Sequence, residues 1–315
     1  MTTPQVKKEE QLNMESVTWG NLTWVNIECP TERETGYLAQ TYHFHPLDLD
    51  DCLSRIQRPK IDEYKDYLFL VFHFPVFSAE AMVTAPSQLS VFISSSYLIT
   101  LHKGEIKPLV HLFRECQVEE ESQREYFGRG SGYLLYRLID RLVDYCLPIL
   151  SKVGDNIEAV EDGIFSERMR SQIKEISMLR RDIIAFRRII WPMRAVVGGL
   201  EPRIRRFTNM DMAVYFGDMV DHVDKIWDAL DEYKEVIEGL KDTYDSLATN
   251  HTNEVVRMLT IIATVLLPIT VVSSVYGMNI PLPFQRSNLA LLFVFLIVLA
   301  IIGSMLYFFH RKRWL

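Results

Sequence analysis

The chain has 315 residues and a mass of 36.8 kDa, which is enough for about two domains. Residues 258–315 contain four bases and no acid, so the 30 bases and 41 acids of residues 1–257 give that part a net charge of −11. This acidity argues against nucleic acid as a partner and favours cations. The four cysteines are widely spaced and form no CxxC pair, so neither a disulfide framework nor a structural zinc site is indicated.

Residues 1–130 are predicted to form a cytoplasmic α/β domain. The first ten residues are polar and lack the apolar segment of a secretory signal. Strands are predicted at 22–27, 67–74, 89–93 and 97–101, where Val, Ile, Phe and Tyr cluster between Pro, Ser or Gly. Short helices are predicted at 45–54 and 106–115. His43 and His45 would share one face of an extended segment; a soft-metal site is one interpretation, and packing is the favoured one.

Residues 131–206 are predicted to form a cytoplasmic helical hairpin. Apolar residues recur three and four positions apart from Leu134 to Tyr145 and again from Ile173 to Phe186, which is the spacing of amphipathic helices. Two antiparallel helices are the simplest arrangement for this segment.

Residues 207–276 are predicted to form one long helix, because no proline occurs after Phe207 until Pro268. Counting in sevens gives an apolar stripe and, about 150° away, an acidic stripe. The apolar stripe contains Phe216, Met219, Val223, Ile226, Leu230, Tyr233, Ile237, Leu240, Tyr244 and Leu247. The acidic stripe contains Asp211, Asp218, Asp221, Asp228, Glu232, Glu235 and Asp242.

Two membrane spans are predicted near the carboxyl end, at about 258–276 and at 289–309. Each is uncharged and close to the 20 residues that a bilayer requires. The spans are joined by an extracytoplasmic loop, 277–288, and followed by a basic tail, 310–315. Basic residues lie just before the first span and just after the second, at the ends of the hairpin that are not joined by the loop. Both termini are therefore expected in the cytoplasm, with the protein in the plasma (inner) membrane.

The acidic stripe continues into the first span without a change of register, and we call the whole row the seam. Its later members are weakly polar or small: Ser246, Thr249, Asn253, Val256, Thr260, Ala263, Leu267, Thr270, Ser274 and Gly277. A helix of this length spans about 100 Å. Parallel copies meeting along the seam would enclose water, because facing carboxylates cannot form a dry core. The alternative is a solvated acidic face followed by ordinary packing contacts in the membrane.

The sequence Tyr276-Gly277-Met278-Asn279 at the end of the first span resembles the signature of the CorA family of magnesium and cobalt transport proteins. Residues 58–74, 179–194 and 252–270 also resemble family segments, so the resemblance covers most of the chain. It implies a funnel-shaped homopentamer in which an α/β cytoplasmic domain and a long helical stalk lead to two C-terminal transmembrane helices.

The resemblance also implies roles for individual residues. Gly277, Met278 and Asn279 would form the outer mouth, where five amide side chains accept hydrogen bonds from hydrated Mg²⁺. Asn253, Val256, Leu259 and Leu267 match pore-lining and gate positions. Asp218 and Asp242 match carboxylates that bind regulatory divalent ions or line the funnel, and Glu105 is a candidate partner of Asp218.

The implied function is passive, gated transport of a divalent cation, most simply Mg²⁺, with Co²⁺ or Ni²⁺ as further cargo. No GxxxxGK[ST] element occurs, no enzyme activity is expected, and no cofactor is expected beyond the transported and regulatory ion. The loop after Asn279 lacks the acid that many magnesium-transporting members carry and contains Arg286. The alternatives are a zinc-preferring relative and a membrane-anchored sensor or scaffold without transport.

Overall fold

The computed structural model describes residues 12–54, 57–78, 83–164, 169–208, 210–278, 288–312 and 314; for 169–171 and 288–291 only the backbone is described. Contacts divide the chain into two compact units, residues 1–241 and 242–315.

The first unit contains a six-stranded sheet. Its strands are β1 (Met14–Trp19), β2 (Leu22–Glu28), β3 (Lys60–Glu63), β4 (Leu68–Ser78), β5 (Val83–Ile93) and β6 (Tyr97–His102). Their order across the sheet is β1-β2-β6-β5-β4-β3, and every neighbouring pair is antiparallel except β2 with β6. The four predicted strands are confirmed. The sequence analysis did not predict β1 and β3, which lie at the sheet edges and carry too few apolar residues for a clear signal.

Helices cover both faces of the sheet. On one face, α1 (Glu32–Tyr42) and α2 (Pro46–Leu53) contribute Leu38 and Leu49 to a core with Val25, Phe69 and Phe92. On the other face lie α3 (Lys107–Val118), α5 (Ser131–Ile164) and α6 (Met169–Ile204), and α4 (Glu120–Phe127) packs against α3 and α5. A Thr31–Glu34 capping box defines the start of α1, which the sequence analysis did not predict.

The predicted hairpin is confirmed by α5 and α6, which pack against each other. The prediction that the long helix starts at Phe207 is wrong. Residues 205–207 form a 3₁₀ turn, and α7 runs from Ala213 to Tyr276. The Asp211 carboxylate accepts a hydrogen bond from the Ala213 amide at 3.0 Å, which satisfies a donor that the first helical turn leaves free. Asp211 therefore precedes the helix instead of lying on its acidic face.

The second unit holds the end of α7 and α8 (Asn288–Arg311). Both helices contain a stretch that is long and apolar enough to cross a membrane, in agreement with the two predicted spans. No residue in the apolar stretch of α7 is buried by the single chain, so these surfaces are available to lipid or to other copies.

Candidate ion-conduction site

The two stripes predicted on α7 behave differently in the first unit. Phe216, Met219, Val223, Ile226, Leu230, Ile237 and Leu240 are buried, and such burial stabilises by about 1.5–3 kcal/mol for each large side chain. Asp218, Asp221, Asp228, Glu232 and Glu235 are all exposed. The helix is thus fixed by its apolar stripe, and its acidic stripe is left facing outward.

A third row of α7 acids is neutralised by α6. Arg180, Arg187 and Arg194 recur every seven residues on α6, and their partners Glu238, Asp231 and Asp224 recur every seven residues on α7 in the reverse order. The closest nitrogen–oxygen distances are 3.7, 2.6 and 2.5 Å, respectively. We call these three pairs the arginine ladder. The reversed order of the partners shows that α6 and this part of α7 are antiparallel.

The acids of α7 include two groups, those ion-paired in the arginine ladder and those that form no ion pair with a described residue. In the described part of the chain, Asp221, Asp228, Glu232, Glu235 and Asp242 form no ion pair. Repulsion along such a row is relieved by cations, so the row has the electrostatics of a cation-attracting surface.

Asp218 lies beside a small group of titratable residues that the sequence analysis missed. His222 Nε2 is 3.8 Å from the Asp218 carboxylate, and His222 Nδ1 is 3.8 Å from that of Asp144 on α5. The pKa of Asp140 is raised by burial and by the neighbouring Asp144 charge, with Arg137 opposing the shift. The i, i+4 spacing of Asp218 and His222 was visible in the sequence, whereas the approach of α5 was not.

The predicted metal-binding residues do not assemble within one chain. Among the described residues, no three His, Cys, Asp or Glu side chains lie close enough together to hold a metal ion. Glu105 accepts a hydrogen bond from Ser87 at 2.8 Å, and Asp242 is exposed on α7. Within one chain, the described residues therefore give Asp218, Asp242 and Glu105 no shared three-ligand site.

His43 and His45 have structural roles, as favoured. His43 ends α1 in the left-handed conformation, with φ of 58°. His45 precedes α2, and its Nδ1 accepts a hydrogen bond from the Leu47 amide at 3.3 Å. A side-chain acceptor at this position satisfies one of the first free amides of the helix.

In the second unit, every described seam residue of the span is exposed. Val256, Leu259 and Leu267 are 56%, 62% and 63% exposed, and the others are equally uncovered: Asn253, Thr260, Ala263, Thr270 and Ser274. A half-buried stripe lies about 150° away on the same helix and contains Ile261, Thr264, Val265, Pro268, Ile269 and Val272. The seam is therefore not the face that this unit covers.

A matching half-buried stripe occurs on α8. It contains Val294, Val298, Ile301, Ile302 and Met305. Phe309, further along α8, is buried, and the ring of Trp314 stacks on it with the centroids 5.8 Å apart. Gly303 and Ser304, the small residues of the second span, lie outside this stripe and are exposed.

The threonines of the span donate their hydroxyl hydrogens to their own helix. Thr260 Oγ1 donates to the Val256 carbonyl at 2.8 Å, and Thr270 Oγ1 donates to the Leu266 carbonyl at 3.0 Å. Because the hydroxyl hydrogen is donated to the backbone, the lone pairs of each threonine oxygen remain available to accept a further hydrogen bond. Acceptors of this kind suit the outward-pointing hydrogens of a hydrated cation.

The span ends where the signature sequence begins. The Gly277 amide donates to the Ser273 carbonyl at 2.9 Å, which closes the last turn, and both Gly277 and Met278 are exposed. Asn279, predicted to form the mouth, lies outside the described residues.

Comparisons with known proteins agree with this architecture. A family model described as "CorA-like Mg2+ transporter protein" matches residues 19–313. The cobalt/magnesium transport protein CorA of Thermotoga maritima is 29% identical, over 95% of this chain and 83% of the relative. The CorA magnesium transporter structure from Methanocaldococcus jannaschii superposes with a TM-score of 0.80 at 23% identity, covering 95% of this chain and 94% of that one. The zinc transport protein ZntB of Yersinia pseudotuberculosis is a more distant relative, at 18% identity over 93% of this chain and 88% of its own.

Proposed function

Because the chain belongs to the family of CorA-like Mg²⁺ transporter proteins, we propose that it is a passive, gated channel that admits Mg²⁺ to the cytoplasm. Several copies, five by family resemblance, surround an aqueous axis lined by the seam. The membrane potential supplies about 4.6 kcal/mol per divalent ion for each 100 mV, so no further energy source is needed.

One observation carries this proposal: the weakly polar seam of the first span is uncovered, while the stripe about 150° away is half-buried. A seam packed against α8 would have left no face for a shared axis. With the seam free, parallel copies can bring Thr260, Thr270 and Ser274 together around one path. Val256, Leu259 and Leu267 then form the apolar constrictions that close the path by excluding water.

The two ends of the seam are the proposed points at which ions enter and leave the path. Hydrated ions are recognised at Gly277, Met278 and Asn279, where amide oxygens bind the water shell that Mg²⁺ gives up reluctantly. They leave along the exposed acids of α7. Both termini are cytoplasmic in this arrangement, residues 277–288 form the outer loop, and the membrane is the plasma membrane.

Gating follows from repulsion between carboxylates of neighbouring copies. Cytoplasmic Mg²⁺ bound between copies at Asp218, Asp242 and Glu105 would offset the repulsion of facing carboxylates and hold the closed state. Loss of the ion at low Mg²⁺ would restore that repulsion and open the path.

A flux assay in liposomes tests the proposal. Purified protein is expected to let Mg²⁺ enter in response to an inside-negative potential, and Asn279→Ala is expected to reduce this flux strongly. Asn13→Ala, which removes the same amide near the start of the chain, is the matched control and should conduct normally. Flux unchanged in Asn279→Ala would show that the mouth assignment is wrong.

The same assay separates the competing functions. Flux of Zn²⁺ well above that of Mg²⁺, Co²⁺ and Ni²⁺ would identify a zinc-preferring transporter. Absence of flux for all four ions, from protein that is folded and correctly inserted, would favour a membrane-anchored sensor or scaffold.

A further inference from the structure

A cavity of about 1100 Å³ lies in the first unit. It is bounded by the segment before β3, by β4 and β5, and by the middle of α6. Its wall contains Gln57, Arg58, Pro59, His73, Pro86, Ala185, Arg188, Ile189, Trp191, Pro192, Arg194 and Ala195. A space of this size can hold a drug-sized ligand or one somewhat larger.

The charge of this wall is opposite to that of the rest of the cytoplasmic part. Among the residues that the structure describes, this wall carries three arginines and no carboxylate, although residues 1–257 have a net charge of −11. Arg194 is paired with Asp224. Arg58 and Arg188 are exposed and form no ion pair with any residue that the structure describes. Two arginines without partners on one wall provide donors for a multiply charged anion.

The wall also contains a flat aromatic surface. Trp191 is 56% exposed, and its ring lies 4.7 Å from that of Trp227, centroid to centroid, so part of it is covered and part remains free. An exposed indole beside arginines is suited to stacking on a planar ring that carries negative charge at one end.

His73 supplies a third kind of recognition. It is only 6% exposed, its ring bonds the backbone of Gln57, and its Nε2 has no hydrogen-bond partner in the described part of the chain. Burial lowers the pKa of this histidine, which keeps the ring neutral at neutral pH. A buried nitrogen without a partner is unfavourable, and a ligand hydroxyl or amino group could donate to it after a small adjustment of the wall.

We propose that this cavity binds a nucleoside polyphosphate, with its phosphates on Arg58 and Arg188, its base on Trp191, and a hydroxyl or amino group near His73. The three features together fit this class better than inorganic anions, which have no flat ring, and better than neutral aromatics, which have no charge for the arginines. Binding is the whole of the proposal: no hydrolysis is implied, and the site is independent of the proposed ion path.

Isothermal titration of the purified full-length protein with ATP in EDTA tests the site. We expect one ATP to bind per chain with a Kd of about 1 mM or lower. Arg188→Ala should weaken binding about tenfold or more, because it removes a charge-assisted contact. Arg180→Ala removes the same charge from the same helix outside the cavity and should bind like the wild type. Trp191→Leu should weaken ATP binding several-fold and leave the affinity for tripolyphosphate unchanged.

Three results would overturn the proposal. In the first case, ATP produces no saturable binding at several millimolar. In a second case Arg188→Ala and Arg180→Ala would lose affinity equally, which would indicate diffuse attraction to basic residues. In the third case, the wild type binds tripolyphosphate as tightly as ATP, and Trp191→Leu leaves the affinity for ATP unchanged. Together these two results would show that the nucleoside is not recognised. Thermal unfolding of each variant shows that it is folded before its affinity is compared.

Discussion

Arg194 of α6 forms an ion pair with Asp224 of α7: its Nη2 donates a hydrogen bond to Oδ2 at 2.9 Å, and its Nε lies 2.5 Å from Oδ1. It is the closest pair of the arginine ladder, which holds α6 against the helix that leads toward the membrane.

Reversing one charge of this pair should destabilise the protein, and reversing both should restore part of the loss. We expect Arg194→Asp or Asp224→Arg alone to cost about 1–2 kcal/mol, since each puts like charges in contact, and the double variant to recover about 1 kcal/mol. Thermal unfolding of the four proteins in detergent measures the coupling. Additive losses in the double variant would show that the pair contributes no specific interaction.

The stability of the first unit should fall as the pH drops below neutrality, because of His102. Its Nδ1 accepts from the Gly104 amide at 2.9 Å and its Nε2 lies 3.0 Å from Asn26 Oδ1, an arrangement that requires a neutral ring. Burial lowers the pKa of His102 to about 4. A histidine whose pKa is lowered on folding stabilises above its unfolded value of about 6.5, and this stability is lost as the pH falls toward 4.

The expected loss from this one residue is about 2 kcal/mol between pH 7 and pH 5. Because carboxylates also titrate, the measurement is the difference in unfolding free energy between the wild type and His102→Gln at each pH. That difference should shrink toward pH 5. A constant difference would mean that His102 stays neutral, or is already charged, in both folded and unfolded states.

Gly132 should not tolerate a methyl group. A Cβ at this position in the first turn of α5 would lie 2.6 Å from Ile204 Cγ2 and 3.2 Å from Thr208 Cβ. We expect Gly132→Ala to destabilise by about 1–3 kcal/mol through overpacking. Gly217→Ala on α7 is the control: nothing lies within 4 Å, so helix propensity should make it neutral or up to about 1 kcal/mol more stable. Equal melting temperatures would contradict the packing at this junction.

A cysteine at Thr270 should react with aqueous thiol reagents, while one at Ile269 should not. Thr270 belongs to the exposed seam, and its neighbour Ile269 belongs to the half-buried stripe. The protein in liposomes is labelled after Cys29→Ser, since Cys29 is exposed and the other three cysteines are buried. Labelling at Ile269 but not at Thr270, with and without Mg²⁺, would place the aqueous path elsewhere.

Asp218→Asn should raise the cytoplasmic Mg²⁺ concentration needed for closure by several-fold, because the bound ion loses a charged ligand. Asp228→Asn makes the same change on the same exposed row and should shift closure by less than twofold. Flux into liposomes preloaded with graded Mg²⁺ gives both values. Equal shifts in the two variants would indicate that the row acts through its total charge and not through a site at Asp218.

The sequence predicted an element most clearly where the type and spacing of its apolar residues match the burial seen in the structure. The strand-forming residues clustered at 97–101 and the apolar stripe from Phe216 to Leu240 identified a strand and a helix face, because side chains of that type and spacing suit those elements. The predicted start of α7 was wrong because Asp211 precedes the helix and accepts a hydrogen bond from the Ala213 amide. In the sequence, an Asp seven residues before Asp218 looks the same whether it lies on the helix or just before it.

The sequence by itself determined the two spans, the acidic and apolar stripes, and the signature that ends at Asn279, since all of these depend on hydropathy and helical period along one segment. Only the tertiary structure decided which acids of α7 are neutralised by Arg180, Arg187 and Arg194, that His222 approaches Asp144, and that Arg58, His73 and Trp191 share one cavity. Those relations join residues far apart in the chain, and their energies depend on distance and burial, which a linear pattern does not contain.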